Sequence, residues 1–207
     1  ATGQVIPDAR TQIIQAADGG VVFELRVQEG QAVKAGQILA VLEKERAQAG
    51  FKEIVARVAS LRAILDRTNA EISQKPLLFN KQSAAFPEFT TAQAGLYMQR
   101  KKTLDEEMGY LQEALANAKE ELEMNQKLMK TGDTSQLEVM RAKRQVGELE
   151  GKINATRNKY LQEARTEAIK AAEDLAANRY KLDERQSILG KTVLVAPIAG
   201  IVKYLKL

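Results

Sequence analysis

From Lys44 to Leu189 the sequence returns an apolar residue after three positions and then after four, and this period constrains the fold more than any other feature. Alternation of that kind is the seam of a coiled coil, so most of the chain is committed to long helices packed lengthwise. The first seam reads Phe51, Ile54, Val58, Leu61, Leu65, Thr68 and Ile72, and Pro76 ends it. The second runs through Tyr97, Leu104, Met108, Leu111, Leu115, Ala118, Leu122 and Met129, with Lys101 and Asn125 as polar members. The third follows Val139, Ala142, Val146, Leu149, Ile153, Thr156 and Tyr160, then Ala164, Ala168, Ala171, Leu175, Asn178, Leu182 and Leu189. Predicted helices therefore span about 44–74, 91–130 and 135–189, and the two-proline stretch "KPLLFNKQSAAFPEF" between the first two is predicted as a loop holding a short turn.

The break inside "LMKTGDTSQLEV" is abrupt: Gly132 closes one helix as a C′ residue, and Asp133, Thr134 or Ser135 can cap the next. So short a turn makes an antiparallel hairpin. At 1.5 Å per residue the third helix is about 80 Å long, the second about 60 Å and the first about 45 Å, so the first two together overshoot the third and must overlap. Two helices are expected near the turn and three near the base, with the end of the first opposite about residue 160 of the third. There the third seam steps four, four, four from Thr156 to Ala168, a stutter that unwinds a left-handed supercoil. Ala164, Ala168, Ala171, Ala172, Ala176 and Ala177 would leave room for the extra helix. Gly95, Gly109, Gly147 and Gly151 each cost about 1 kcal/mol against Ala inside a helix, which predicts close approach of another helix, within the hairpin or from a neighbouring protomer. Asn125, polar within a seam, is read as fixing register.

Composition excludes most chemistry. Cysteine and histidine are absent, which removes disulfides, thiolate nucleophiles, imidazole bases and nearly every transition-metal site, so no catalytic residue, cofactor or metal is assigned. Pairs such as Glu106-Glu107 and Glu120-Glu121 are solvated helix faces rather than acid–base sites. The 31 basic and 27 acidic residues alternate along the helices, and aromatics make up 5%, so there is no clustered basic, aromatic-studded surface for nucleic acid. No signal peptide and no run of about 18 apolar residues is present, so any membrane segment is expected to lie outside these residues.

The two ends read as β structure. "TQIIQA", "GVVFELRV" and "ILAVLE" are short strand-like runs, with Gly30 and Gly36 at turns in "QEGQ" and "KAGQ". After the helices come "TVLVAP" and "GIVKYLKL". The organisation predicted is a β part over 1–43, a helical part over 44–190 and a second β part over 191–207.

"GGVVFELRVQEGQAVKAGQILAVLE" resembles the first half of a biotinyl/lipoyl domain, and "VLVAPIAGIVKYL", with Ala196-Pro197 and Gly200-Ile201-Val202, resembles the start of its second half. In a carrier domain the halves meet at a tight hairpin bearing the modified lysine, whereas here roughly 145 residues of helix stand in place of the usual two-to-five-residue loop. Lys44 and Arg46, near that position, enter a helix instead of an exposed turn, which excludes a swinging arm. With "SLRAILDR", "FPEF" and "YMQRKKTL" in this order, the chain resembles the hemolysin-D type of membrane fusion protein, the periplasmic adaptor of bacterial type I secretion. The resemblance implies a mainly α fold: a long antiparallel coiled-coil hairpin, three helices thick near its base, inserted into a split lipoyl-like β domain. It also implies anchoring in the inner membrane by an N-terminal segment absent here and self-association into a ring, six-membered in the family. The partners it implies are an inner-membrane ABC transporter at the base and a TolC-like outer-membrane channel at the hairpin tip. The family tip carries Arg, then Leu four residues on, then Ser seven further; this chain has Met124, Leu128 and Ser135 at those places. Lys127 or Lys130 stands in for the missing Arg, and Thr131, Gly132 and Asp133 complete the docking tip. Drug efflux, or a free-standing coiled-coil structural role, are the alternatives.

Overall fold

The computed structural model describes residues 11–15 and 21–206. The beginning and end of the chain, and the Gly19-Gly20 pair that opens the lipoyl-like run, fall outside the described residues. By their contacts the residues form two units, Ala1–Ala56 with Asn178–Leu207, and Arg57–Ala177.

Among its described residues the first unit holds five short strands: β1 (Val22–Leu25), β2 (Ala32–Val33), β3 (Ile38–Leu42), β4 (Val193–Val195) and β5 (Gly200–Ile201). Two features of the sequence build it. "QEGQ" and "KAGQ" fold into the same turn: Gly30 and Gly36 take φ values of 81° and 78°, and the Gln at the fourth position closes each turn twice. Its backbone N–H donates to the first residue's carbonyl, Gln31 to Gln28 at 3.1 Å and Gln37 to Lys34 at 3.0 Å. Its side-chain oxygen accepts from that residue's N–H, at 2.9 Å and 3.0 Å. Positive φ at the third position is why glycine recurs there. Apolar pairing then joins the ends: β3 lies between β1 and β4, antiparallel to both, and β2 pairs antiparallel with β5. Val27, Ala40, Leu42 and Ala196 are buried. Residues 11–15 form no strand, contrary to the expectation for "TQIIQA", and the described residues of "GIVKYLKL" contribute Gly200–Ile201 alone.

The helices are α1 (Glu45–Ser73), α2 (Lys81–Ala84), α3 (Pro87–Thr131) and α4 (Gln136–Gly190). In the second unit α3 and α4 run antiparallel, with a core of Leu111, Ala118, Val146 and Leu149 flanked by Leu115, Leu122 and Ile153. α1 is buried over more than one stripe, because Ala59, Ala63 and Ala70 are covered as well as Val58, Leu61 and Thr68. A helix packed on one partner hides one stripe; a wider buried face needs two partners. The three-helix section meets α4 at Tyr160, Glu163 and Glu167, inside the stutter.

Several expectations are corrected. α3 starts at Pro87 rather than near residue 91, since proline is favoured in the first helical turn where its missing N–H costs nothing. The preceding stretch folds into α2, capped by Asn80, whose side chain accepts from the N–H groups of Gln82 and Ser83. Lys101 is exposed, and its neighbour Arg100 is the cation turned inward. Ala164 and Ala171 are buried, but Ala172, Ala176 and Ala177 are exposed. Gly95, Gly109, Gly147 and Gly151 face open space: a β-carbon built on any of them meets nothing within 4 Å. Among the described residues no other helix approaches them.

Candidate functional site

The predicted docking turn is a Schellman closure. Gly132 takes φ 84°, ψ 7°, its N–H donates to the Met129 carbonyl at 3.2 Å, and the Asp133 N–H donates to the Leu128 carbonyl at 2.9 Å. The Thr131 hydroxyl lies within reach of the Leu128 carbonyl and the Asp133 carboxylate and can donate its single proton to one of them. Ser135 caps α4, its hydroxyl accepting from the Glu138 N–H at 3.3 Å. Ser135 and Glu138 have the spacing of a capping box, but the Glu138 carboxylate pairs forward with Arg141 at 2.7 Å. Thr131, Gly132, Asp133 and Ser135 thus make the hydrogen bonds that close and cap the turn.

The remaining predicted residues lie on the outer surface of α3. Met124 and Leu128, one turn apart, are exposed. Lys127 is tied to Glu123 at 2.7 Å along its own helix. That hydrogen bond holds the Glu123 carboxyl below its ordinary range and the Lys127 ammonium above its own. Of the two cations read as substitutes for the family arginine, Lys127 is therefore already engaged, while Lys130 is exposed.

Three further apolar side chains cluster at the turn and were missed: Met129, Leu137 and Met140. Met129 has seam spacing but is exposed, because α3 passes it only two residues before ending at Thr131 and α4 begins at Gln136. Leu137 and Met140 sit in the first turns of α4, outside its seam. The signal was countable: three of the chain's five methionines fall between residues 124 and 140.

A second site went unread. Arg67, on α1, has a fully buried side chain that reaches two elements at once. Its Nε donates to Gln93 Oε1 at 2.6 Å, one terminal nitrogen to Glu71 Oε1 at 2.7 Å, and the other pairs with Glu167 Oε1 of α4 at 2.5 Å. The other oxygen of Glu71, equally buried, meets Arg100 Nε at 3.3 Å. Arg100 also reaches Glu163 at 3.3 Å and lies over the Tyr160 ring, 5.2 Å from its centre. Burial alone would lower the Arg67 pKa, but the hydrogen bonds to Glu167 and Glu71 outweigh it and leave it raised. Burial, with the negative charge of Glu71, pushes the Tyr160 phenol up to about 12. Beside this network Asp66 Oδ2 accepts from the Asn80 N–H (3.0 Å), the Asn80 side-chain amide (2.9 Å) and the Ser83 hydroxyl (2.8 Å). Asp66 and Arg67 close "SLRAILDR": one fastens the α2 stretch, the other fastens α1 to α3 and α4. The arrangement offers anchoring, not a pocket for a reacting group.

Among the described residues no group of three or more acidic side chains is placed to hold a metal, and no helix is long and apolar enough to cross a membrane.

No protein-family model matches the sequence, and no curated protein sequence matches it. Solved structures do. The soluble domain of LipC, a membrane fusion protein of a type I secretion system, is similar with a TM-score of 0.61 at 21% identity, over 93% of this chain and 91% of that one. The periplasmic adaptor protein EmrA gives a TM-score of 0.37 at 17% identity, over 90% of this chain and 64% of its own. The fold is thus shared with the soluble domain of LipC: long helices with a small antiparallel β part, the fold that the resemblance implied.

Proposed function

We propose that the chain is the soluble part of an HlyD-type periplasmic adaptor that links an inner-membrane ABC transporter to a TolC-like outer-membrane channel for type I secretion of a protein or peptide. The observation that carries this reading is the pairing of β3 with β4, Ile38 opposite Val195 and Val41 opposite Val193. It closes one β module from strands on either side of the entire helical insertion, the interrupted lipoyl arrangement on which the resemblance rests. The role is binding and bridging rather than catalysis. The hairpin turn from Met124 to Ser135 docks on the channel, and repeated copies on a ring make a small contact sufficient through effective concentration. The fold shared with LipC favours secretion over drug efflux.

The test is export in cells that depend on the full-length adaptor. Leu128→Asp and Ser135→Arg are expected to abolish export and co-purification with the outer-membrane channel at normal adaptor levels. Undiminished export at normal levels refutes the docking role.

A further inference from the structure

All the sulfur in this chain is methionine: there are five methionines, no cysteine and no tryptophan, so methionine is the side chain an oxidant attacks most readily. Four of the five are exposed, Met98 by 70%, Met124 by 57%, Met129 by 41% and Met140 by 56%. The fifth, Met108, is half-buried in α3. The exposed four are not spread evenly. Met124 lies about 12 Å from Gly132 along α3, Met129 lies nearer still, and Met140 stands in the second turn of α4. Only Met98 is remote, about 50 Å back along α3. None of the three near the turn belongs to the core of Leu111, Ala118, Val146 and Leu149, so a change at their sulfurs leaves that core intact.

Resting on the docking role proposed above, we infer that Met124, Met129 and Met140 are a modification site: hydrogen peroxide or an organic hydroperoxide converts them to methionine sulfoxide, and this releases the tip from its channel. A sulfur lone pair attacks one peroxide oxygen, the O–O bond breaks, and that oxygen stays on sulfur. The other oxygen leaves with the proton, as water from hydrogen peroxide or as an alcohol from an organic hydroperoxide. Each sulfur gives up two electrons and the peroxide takes them. The thioether is apolar and adjusts its rotamers to a partner, whereas the sulfoxide is polar and chiral, so the surface around the turn changes character without any change of sequence. The step is reversible, because reductases return the sulfoxide to methionine.

The test uses the full-length adaptor, treated with hydrogen peroxide until peptide mass spectrometry finds one added oxygen on Met124, Met129 and Met140 and none on Met108. Capture of the outer-membrane channel is expected to fall at least tenfold, with helical circular dichroism unchanged. Methionine sulfoxide reductases A and B together, one for each epimer, should return capture to within twofold of the untreated adaptor. The triple variant Met124→Leu, Met129→Leu and Met140→Leu should stay within twofold of its untreated level, whereas Met98→Leu should lose the channel on treatment as the parent does. Conversion of Met108 as fast as the three overturns the site, as does loss in the treated triple or protection by Met98→Leu. A treated parent that keeps the channel while Leu128→Asp loses it overturns the switch and leaves docking standing; when both keep it, docking falls as well. If the triple cannot hold the channel before treatment, the reductase arm decides: recovery supports the switch, and no recovery on regenerated methionine overturns it.

Discussion

Removing one guanidinium isolates the energetics that fix α1 in place. In Arg67→Met the side chain keeps nearly its length and its apolar stem, and loses contacts to Glu71, Glu167 and Gln93 of 2.7, 2.5 and 2.6 Å. Two guanidiniums, Arg67 and Arg100, face three carboxylates, Glu71, Glu163 and Glu167; the variant leaves one cation against three anions. Glu167 is partly exposed and can turn to water. Glu71 cannot, because its side chain is fully buried and its remaining partner is Arg100 at 3.3 Å. Removing the closer partner of a buried charge in this way costs about 3–5 kcal/mol. Replacing both members, Arg67→Met with Glu71→Met, removes the stranded carboxylate and is expected to return stability to within about 1 kcal/mol of the parent or above it, since buried ion pairs often match an apolar isostere. Urea unfolding followed by helical circular dichroism gives both values, and hydrogen exchange along α1 shows whether the loss is local. A single variant costing under about 1 kcal/mol would place the contact among weak surface pairs and refute the argument. So would a double variant whose loss equals the sum of the two singles.

Three other outcomes follow from the same geometry. Gly109→Ala, Gly147→Ala and Gly151→Ala, in open helical positions, should each raise stability by about 0.5–1 kcal/mol, whereas Gly132→Ala, at φ 84°, should lower it by about 1–2 kcal/mol; equal effects in a melt would contradict the placement. Asp66→Ala strands donors on Asn80 and Ser83, so it should cost about 1–3 kcal/mol and open residues 76–86 to hydrogen exchange and to trypsin at Lys81; unchanged protection there would refute the staple. The Tyr160 phenol titrates near 10 unfolded and about 12 folded, so its contribution is intact below pH 10 and is lost as pH rises from 10 to 12. Ultraviolet titration should show a late-ionising tyrosine that Tyr160→Phe removes, and the alkaline loss of stability should shrink in that variant.

Much was legible without coordinates because local rules governed it. The three-four spacing of Leu111, Leu115, Ala118 and Leu122 marked the face α3 turns to α4, and Gly132 marked the closure, since a left-handed terminal residue selects glycine. The two x-x-Gly-Gln turns were readable for the same reason, although not the glutamine side chains that close them. Contacts made across the chain were not readable. The burial of Arg67 had no local sign, because it depends on carboxylates 4 and 100 residues away arriving together. Lys101 had the seam spacing, yet Arg100 turned inward, to Glu71 of α1 and Glu163 of α4. The internal glycines were assigned to close packing; only the placement of neighbours could show that the space beside them is empty.

The sequence by itself determined the helices, their turn and the residues able to form strands, because periodicity, caps and positive-φ glycines act within a few residues. Tertiary structure alone decided which strands pair, which charges are buried and which apolar side chains stay uncovered. Those outcomes depend on desolvation and on partners brought from far along the chain, and no local pattern encodes them.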